Sequence, residues 1–264
     1  AELSAQHVTF GYEPARPVLH EVTLTLPSGR LTGIVGPNGS GKSTLLRVLA
    51  GILTPQYGQV LLDEELVHRL PRLELARQLS FLPQDVSSAY RMRVWDVVAQ
   101  GRFPHTGLLG FLGREDRKVV EESLARTQAS ELSQRSFDEL SGGERRRVLI
   151  SSVLAQSPRI MLLDEPTAAL DIHHQSDVFE LLLGLARDGL NVTVVTHDLN
   201  LAARFCDRII LIGDGCIVRE GRPEEVLQQD VLRDIYAADV MVTSHPVDQS
   251  PMIVVARRGE RHEH

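Results

Sequence analysis

Cysteine, aromatic side chains, basic charge and long apolar runs are all scarce in this chain, and each scarcity removes a class of protein. Its two cysteines in 264 residues, Cys206 and Cys216, exclude a disulfide framework, and their spacing fits no zinc site. Each stands beside apolar residues, so both are expected as buried free thiols. No apolar stretch approaches the roughly 18 residues that a membrane-spanning helix requires. Residues 1–10 carry neither the basic region nor the apolar core of a secretory signal, so the chain is expected in the cytoplasm unless a partner holds it at a membrane. Lys and Arg number 28 against 35 Asp and Glu, a net charge of −7, and no basic stripe is present to neutralise a phosphate backbone. That balance argues against a general nucleic-acid binder. What remains is 42% hydrophobic and 24% charged residues, an ordinary composition for a chain that buries a core.

The patterning is that of an α/β protein. Val22, Leu24 and Leu26 alternate with Glu21, Thr23 and Thr25 before a Pro27, Ser28, Gly29 turn, the period of a strand with one buried face. Further strands are expected over 31–35, 58–62 and 79–82. From about 86 to 143 the pattern becomes helical and more polar, clearest over 114–130, which predicts an inserted helical subdomain. A helix over 144–156 is stopped by Ser157 and Pro158. Strands over 160–163, 192–195 and 208–212 then alternate with helices over 175–187 and 199–205, implying a mostly parallel sheet covered on both faces. Asp214 and Gly215 read as a hairpin turn into Ile217 and Val218. Residues 257–264 read as a polar, frayed tail.

Chemistry concentrates at three places. Gly36, Pro37, Asn38, Gly39, Ser40, Gly41, Lys42, Ser43 and Thr44 match G-x-x-x-x-G-K-[ST], placed between an apolar strand and the helical run Leu45, Leu46, Leu49. Glycines there let backbone N–H groups turn inward around an anion, and the helix N-terminus favours the same charge. Lys42 is expected to reach the β and γ phosphates, and the Ser43 hydroxyl to ligate magnesium. At the second place an apolar strand ends in Asp164 and Glu165, which sets two carboxylates at the sheet edge where α/β proteins bind ligands. Asp164 can hold the magnesium and Glu165 can polarise an attacking water. The third is Leu140, Ser141, Gly142, Gly143 and Glu144, a second glycine-rich helix start able to meet an anion.

Together these motifs resemble the ATP-binding subunit of an ATP-binding cassette (ABC) transporter over nearly the whole chain. The ordered set comprises the Walker A loop at 36–44, Gln84 in the Q-loop, the signature at 140–144, Walker B ending at Glu165, the D-loop Ala169, Leu170 and Asp171, and His197 between Thr196 and Asp198. The resemblance implies a P-loop NTPase fold with a RecA-like core, an N-terminal antiparallel β subdomain and an inserted helical subdomain. It places the ABC ATPase domain at 1–240, with the helical part at about 86–143, and a C-terminal extension and tail at 241–264. It implies ATP and Mg2+ as ligands, Tyr12 stacking on adenine, Gln84 contacting magnesium or water, and His197 hydrogen-bonding the γ phosphate. Ser141, Gly142 and Gly143 would complete the ATP site of a second ATPase subunit in a head-to-tail homodimer, and Asp171 of the D-loop is implied to be nucleotide-binding. Two departures from the usual pattern are present: Arg146 stands where a glutamine is common, and Ser151 with Ser152 where an Ala-Arg pair is common, which affects helix packing and subunit contact.

Three shorter segments narrow the likeness. They are Gly101, Arg102, Phe103, Pro104 and His105; Leu170 to Gln175 with His173 and His174; and Pro223, Glu224, Glu225, Val226 and Leu227 followed by Tyr236. They resemble the ATPases that serve iron-siderophore, haem and cobalamin importers. The stretch after Gly221 is too short for the regulatory β domain that sugar importers often append. The implied setting is the cytoplasmic face of a bacterial inner membrane, peripheral, with membrane-spanning permease subunits as partners, a periplasmic or surface substrate-binding protein acting indirectly, and no nucleic acid. The alternative is a soluble ABC ATPase of DNA repair, translation or cluster assembly; a single cassette, an acidic balance and no long coiled-coil insertion weigh against it. A nucleotide-binding module without catalysis is disfavoured by Glu165 and His197. His173, His174, His262 and His264 are read as solvent-facing histidines, not metal ligands.

Overall fold

Hydrophobic alternation starts at Leu3 and builds the first layer. The computed structural model describes residues 1–85, 91–106, 111–168 and 170–255. Strand β1 (Leu3–Phe10) pairs antiparallel with β2 (Leu19–Leu26), setting Leu3 against Leu26, Ala5 against Leu24 and Val8 against Val22. Strand β3 (Arg30–Val35) runs into the phosphate loop, and helix α1 (Lys42–Leu49) leaves it with Leu45, Leu46 and Leu49 buried. Each such leucine contributes about 1.5–3 kcal/mol by leaving water. Strands β4 (Tyr57–Leu62) and β5 (Glu65–Leu66) complete an antiparallel sheet of order β2-β1-β4-β5. Helix α2 (Arg72–Gln78) leads into β6 (Leu79–Leu82).

The helical segment holds its own core. Helices α3 (Val94–Ala99), α4 (Arg114–Arg126) and α5 (Gly142–Ala155) bury Val94, Val98, Val120, Leu124 and Val148 together with Phe137. The expected helix over 114–130 ends early, because Thr127 turns its hydroxyl back to the carbonyls of Ser123 and Leu124 and Gln128 enters the left-handed region at φ 54°. Helix α5 begins before the expected Glu144, since Ser141 Oγ accepts from the Glu144 N–H while the Glu144 carboxylate accepts from the Ser141 N–H. Its opposite faces enter two cores, Val148 among the helices and Ile150 with Leu154 against the sheet. The 3₁₀ turn Gln100–His105 closes the far end of α5: Arg102 Nη1 donates to the Ala155 carbonyl at 2.7 Å, and the His105 ring meets the Gln156 carbonyl at 2.8 Å. Gly101 permits that approach, since a Cβ there would lie 2.1 Å from the Ser152 carbonyl oxygen. The departing serines hold α5 in place: Ser152 Oγ donates to the Val97 carbonyl, and Ser151 Oγ pairs with Thr127 Oγ1.

Strand β7 (Ile160–Asp164), helix α6 (Ile172–Arg187), strand β8 (Asn191–Val195), helix α7 (Leu199–Phe205) and strand β9 (Arg208–Gly213) follow in the expected alternation. Strand β10 (Cys216–Gly221) returns antiparallel through a turn with Asp214 and Gly215 both at positive φ, the twist a two-residue hairpin demands. The resulting six-stranded sheet has the order β10-β9-β3-β8-β7-β6 and is parallel except at the β10 edge. Cys206 is buried as expected; Cys216 is exposed, because β10 is an edge strand and its Cys216 side chain faces away from the core. Helices α8 (Pro223–Val226) and α9 (Gln229–Tyr236) precede a hairpin of β11 (Val240–Ser244) and β12 (Pro251–Val255) that packs on α7, where Asn200 bonds the Ile253 backbone in both directions. The polar tail expected at 257–264 and Ala169 lie outside the described residues.

Candidate functional site

The parallel strands β3, β7 and β8 end at one edge, and their next residues converge there. Gly36 leaves β3 at φ 154°, and a Cβ on it would stand 2.1 Å from the Ile212 carbonyl oxygen, so only glycine fits. Gly41 precedes α1 at φ 97°, a left-handed position that turns the loop into the helix. Lys42 Nζ donates to the carbonyls of Gly36 at 2.9 Å and Pro37 at 2.7 Å, which leaves its third N–H for an anion. Burial draws the Lys42 pKa down, opposed by Glu165 and Asp164. A cavity of about 300 Å³ opens beside the loop, walled by Val18, Asn38, Gly39, Gly41, Lys42, Ser43, Thr44 and Glu165.

Asp164 closes β7 fully buried, with Oδ1 accepting from Ser43 Oγ at 2.9 Å. Among the described residues its buried Oδ2 has no hydrogen-bond partner. Burial raises the Asp164 pKa, and the Ser43 hydrogen bond partly offsets that rise. An orphaned carboxylate oxygen beside a serine hydroxyl is a donor set that suits a small hard cation or its water.

Glu165 sits one residue past the strand at φ 45°, a left-handed conformation that costs a side-chain-bearing residue about 1–2 kcal/mol. Its N–H donates to the Val195 carbonyl at 3.0 Å, which ties the turn to the end of β8. Gln84 Nε2 donates to Glu165 Oε2 at 3.2 Å, and His197 Nδ1 stands 3.4 Å from the same oxygen. Asp198 fixes the turn behind His197 by accepting from the N–H groups of Asn200 and Leu201, both at 2.9 Å. Tyr12 is 60% exposed, packs edge-on against Phe10 and approaches Thr44 Oγ1 with its hydroxyl at 3.3 Å. Its ring therefore presents a free face near the cavity.

Lys42, Ser43, Gln84, Asp164, Glu165 and His197 are thus brought together, whereas the signature residues are not among the cavity walls. Ser141 caps α5, Gly142 lies against Leu170, and a Cβ on Gly143 would meet the His174 ring at 2.8 Å. Asp171 stands at the start of α6, so signature and D-loop form a second surface of their own. Gln84 touches Glu165 directly, while the carboxylate paired with Ser43 is that of Asp164.

The family model described as ABC transporter matches residues 19–168. The chain belongs to the ABC transporter family. The ferric enterobactin transport ATP-binding protein FepC of Escherichia coli (strain K12) is 40% identical over 255 residues, covering 96% of this chain and 94% of its own. The hemin import ATP-binding protein HmuV of Pseudomonas aeruginosa is 44% identical over 245 residues, covering 90% of this chain and 94% of its own. Among solved structures, a chain of an inward-facing ABC transporter superposes with a TM-score of 0.84 at 27% identity, covering 97% of this chain and 98% of that one. As an ABC transporter ATP-binding subunit the chain is an ATPase, with the mixed α/β P-loop fold of that family.

Arg146 is a site residue that the sequence connects only with helix packing and subunit contact. It is 6% exposed, and its Nη2 donates to the Glu165 carbonyl at 3.0 Å and, more weakly, to the Gln84 carbonyl at 3.4 Å. The departure from glutamine at that position was the visible signal. His173 is exposed beside Asp177, and His174 packs over Gly143.

Proposed function

We propose that this ABC transporter ATPase powers uptake of an iron chelate, haem or cobalamin across a bacterial inner membrane, from its cytoplasmic face. The observation that carries hydrolysis is the convergence of Gln84 and His197 on one oxygen of Glu165, next to the Ser43–Asp164 pair. Lys42 and the loop N–H groups bind the β and γ phosphates, and Tyr12 offers its face to the adenine. Ser43 and Asp164 would hold Mg2+, which supplies positive charge at the phosphate oxygens when bound. Glu165 accepts a proton from the attacking water, and the water oxygen forms the new bond to the γ phosphorus as the bond to the bridging oxygen breaks, giving ADP and phosphate. His197 holds Glu165 and the γ phosphate in line, and Gln84 reports the nucleotide state.

Ser141, Gly142, Gly143 and Asp171 act on the nucleotide of a second copy, which fits their place on a surface apart from the Lys42 cavity. Permease subunits dock on the side formed by Gln84 and the helical subdomain; Leu73 on α2 and Phe103 on the 3₁₀ turn are exposed apolar side chains, at 52% and 70%. Among the described residues no helix is long and apolar enough to cross a membrane, so the transport path belongs to those partners. The near full-length likeness to siderophore and haem importer subunits supports the substrate class. The domain division follows: an ATPase domain at 1–240 with the helical part at about 86–143, and an extension from 241. Reconstitution with candidate permease subunits in vesicles, tested with ferric siderophores, haem and cobalamin, is expected to give ATP-dependent uptake of one of them. A stable soluble complex with nucleic acid and no association with any permease would defeat the importer reading.

A further inference from the structure

Both ends of the Glu165 peptide are held. The N–H is bonded to Val195, and the carbonyl accepts from the Ala168 N–H at 3.2 Å and from Arg146 Nη2 at 3.0 Å. A left-handed glutamate persists only where its surroundings over-determine it, and such residues gather at functional sites. Arg146 also bonds the backbone of Gln84, the residue whose side-chain amide reaches Glu165 Oε2. The contacts close a ring: Arg146 to Gln84, Gln84 to Glu165, Glu165 to Arg146.

We propose that Arg146 is a positioning residue for ATP hydrolysis, fixing the backbone turn at Glu165 and the Q-loop at Gln84 so that the Glu165 carboxylate is aimed at the attacking water. This rests on the reading of Glu165 as the base. Three further observations support it. Arg146 belongs to α5, whose two faces are packed in separate cores, so its stem starts from a rigid element. Its guanidinium is buried and, among the described residues, its Nη1 has no hydrogen-bond partner, the kind of unsatisfied group that calls for an explanation. Both carbonyl bonds come from Nη2 alone, so one nitrogen bearing two N–H groups suffices for the task.

The test is steady-state ATPase kinetics on the full chain for wild type, R146M, R146Q and E165Q. R146M keeps an unbranched apolar stem without donors. It is expected to lose kcat by roughly 10–100-fold, the effect of a misplaced catalytic group, with the KM for ATP and the thermal midpoint held near wild type. R146Q is expected to recover most of that loss. Wild-type turnover in R146M overturns the proposal, as does a joint loss of kcat, ATP affinity and thermal stability that R146Q does not restore. Should R146M fail to fold, R146A is judged by the same criteria. E165Q separates the two claims: if it turns over normally the base reading fails, whereas an inactive E165Q beside a fully active R146M overturns only the role of Arg146.

Discussion

His197 and Glu165 face each other from the ends of adjacent parallel strands, with His197 Nδ1 3.4 Å from the Glu165 oxygen that also accepts from Gln84. That oxygen is therefore oriented from two sides before any water reaches it. E165Q is expected to bind ATP as wild type does and to lose turnover by roughly 10²–10⁴-fold, the usual worth of a general base. H197A should lower kcat less than E165Q does. Equilibrium ATP titration beside steady-state turnover checks both, and near-normal hydrolysis by E165Q would rule out the assignment.

Asp164 predicts a dependence of stability on pH. Its carboxyl lies above the ordinary value of 3.8 because burial penalises the charge, so the folded state binds more protons than the unfolded chain between those two values. Its ionisation therefore costs stability, increasingly as pH rises through that window and fully above it. Asn at this position still accepts from Ser43 without carrying the charge. D164N is expected to melt higher than wild type in metal-free buffer at neutral pH, with the difference shrinking as the pH falls toward 3.8. Melting curves across pH test this, and a gap that does not change with pH would contradict it.

The two thiols should separate cleanly. Cys216 is exposed on its edge strand, while Cys206 is buried with its thiol pKa pushed up by burial and by Asp207. A maleimide is expected to label one thiol per native chain rapidly and two once the chain is unfolded. Fast labelling of both in the native protein, or protection of Cys216, would disagree with this fold.

Much of the site was legible because its signals are local. The glycine spacing around Lys42, the apolar strand before Asp164 and the cap at Ser141 each lie within one short segment; the first two take the expected place, and the Ser141 cap starts its helix at Gly142, ahead of the expected Glu144. What pairs across long separations was not. Arg146 meets Gln84 and Glu165 only once α5 is docked between two cores, and no spacing in the chain announces that. The exposure of Cys216 depends on β10 being an edge, a property of strand order and not of its apolar neighbours. The β11–β12 hairpin was missed for a similar reason: its strands are half-exposed, and their place is set by Asn200 on α7.

Helix α5 has Ser141 at its start and Arg146 in its second turn, about 7.5 Å apart along the axis at 1.5 Å per residue. With Ser141 proposed to meet the nucleotide of a second copy and Arg146 bonded to the Glu165 backbone of its own, the same rigid rod would answer to two ATP molecules. A displacement at one end cannot be hidden from the other. Hydrolysis in one half of the dimer would then be clocked by occupancy of the other half, with no messenger beyond a single helix.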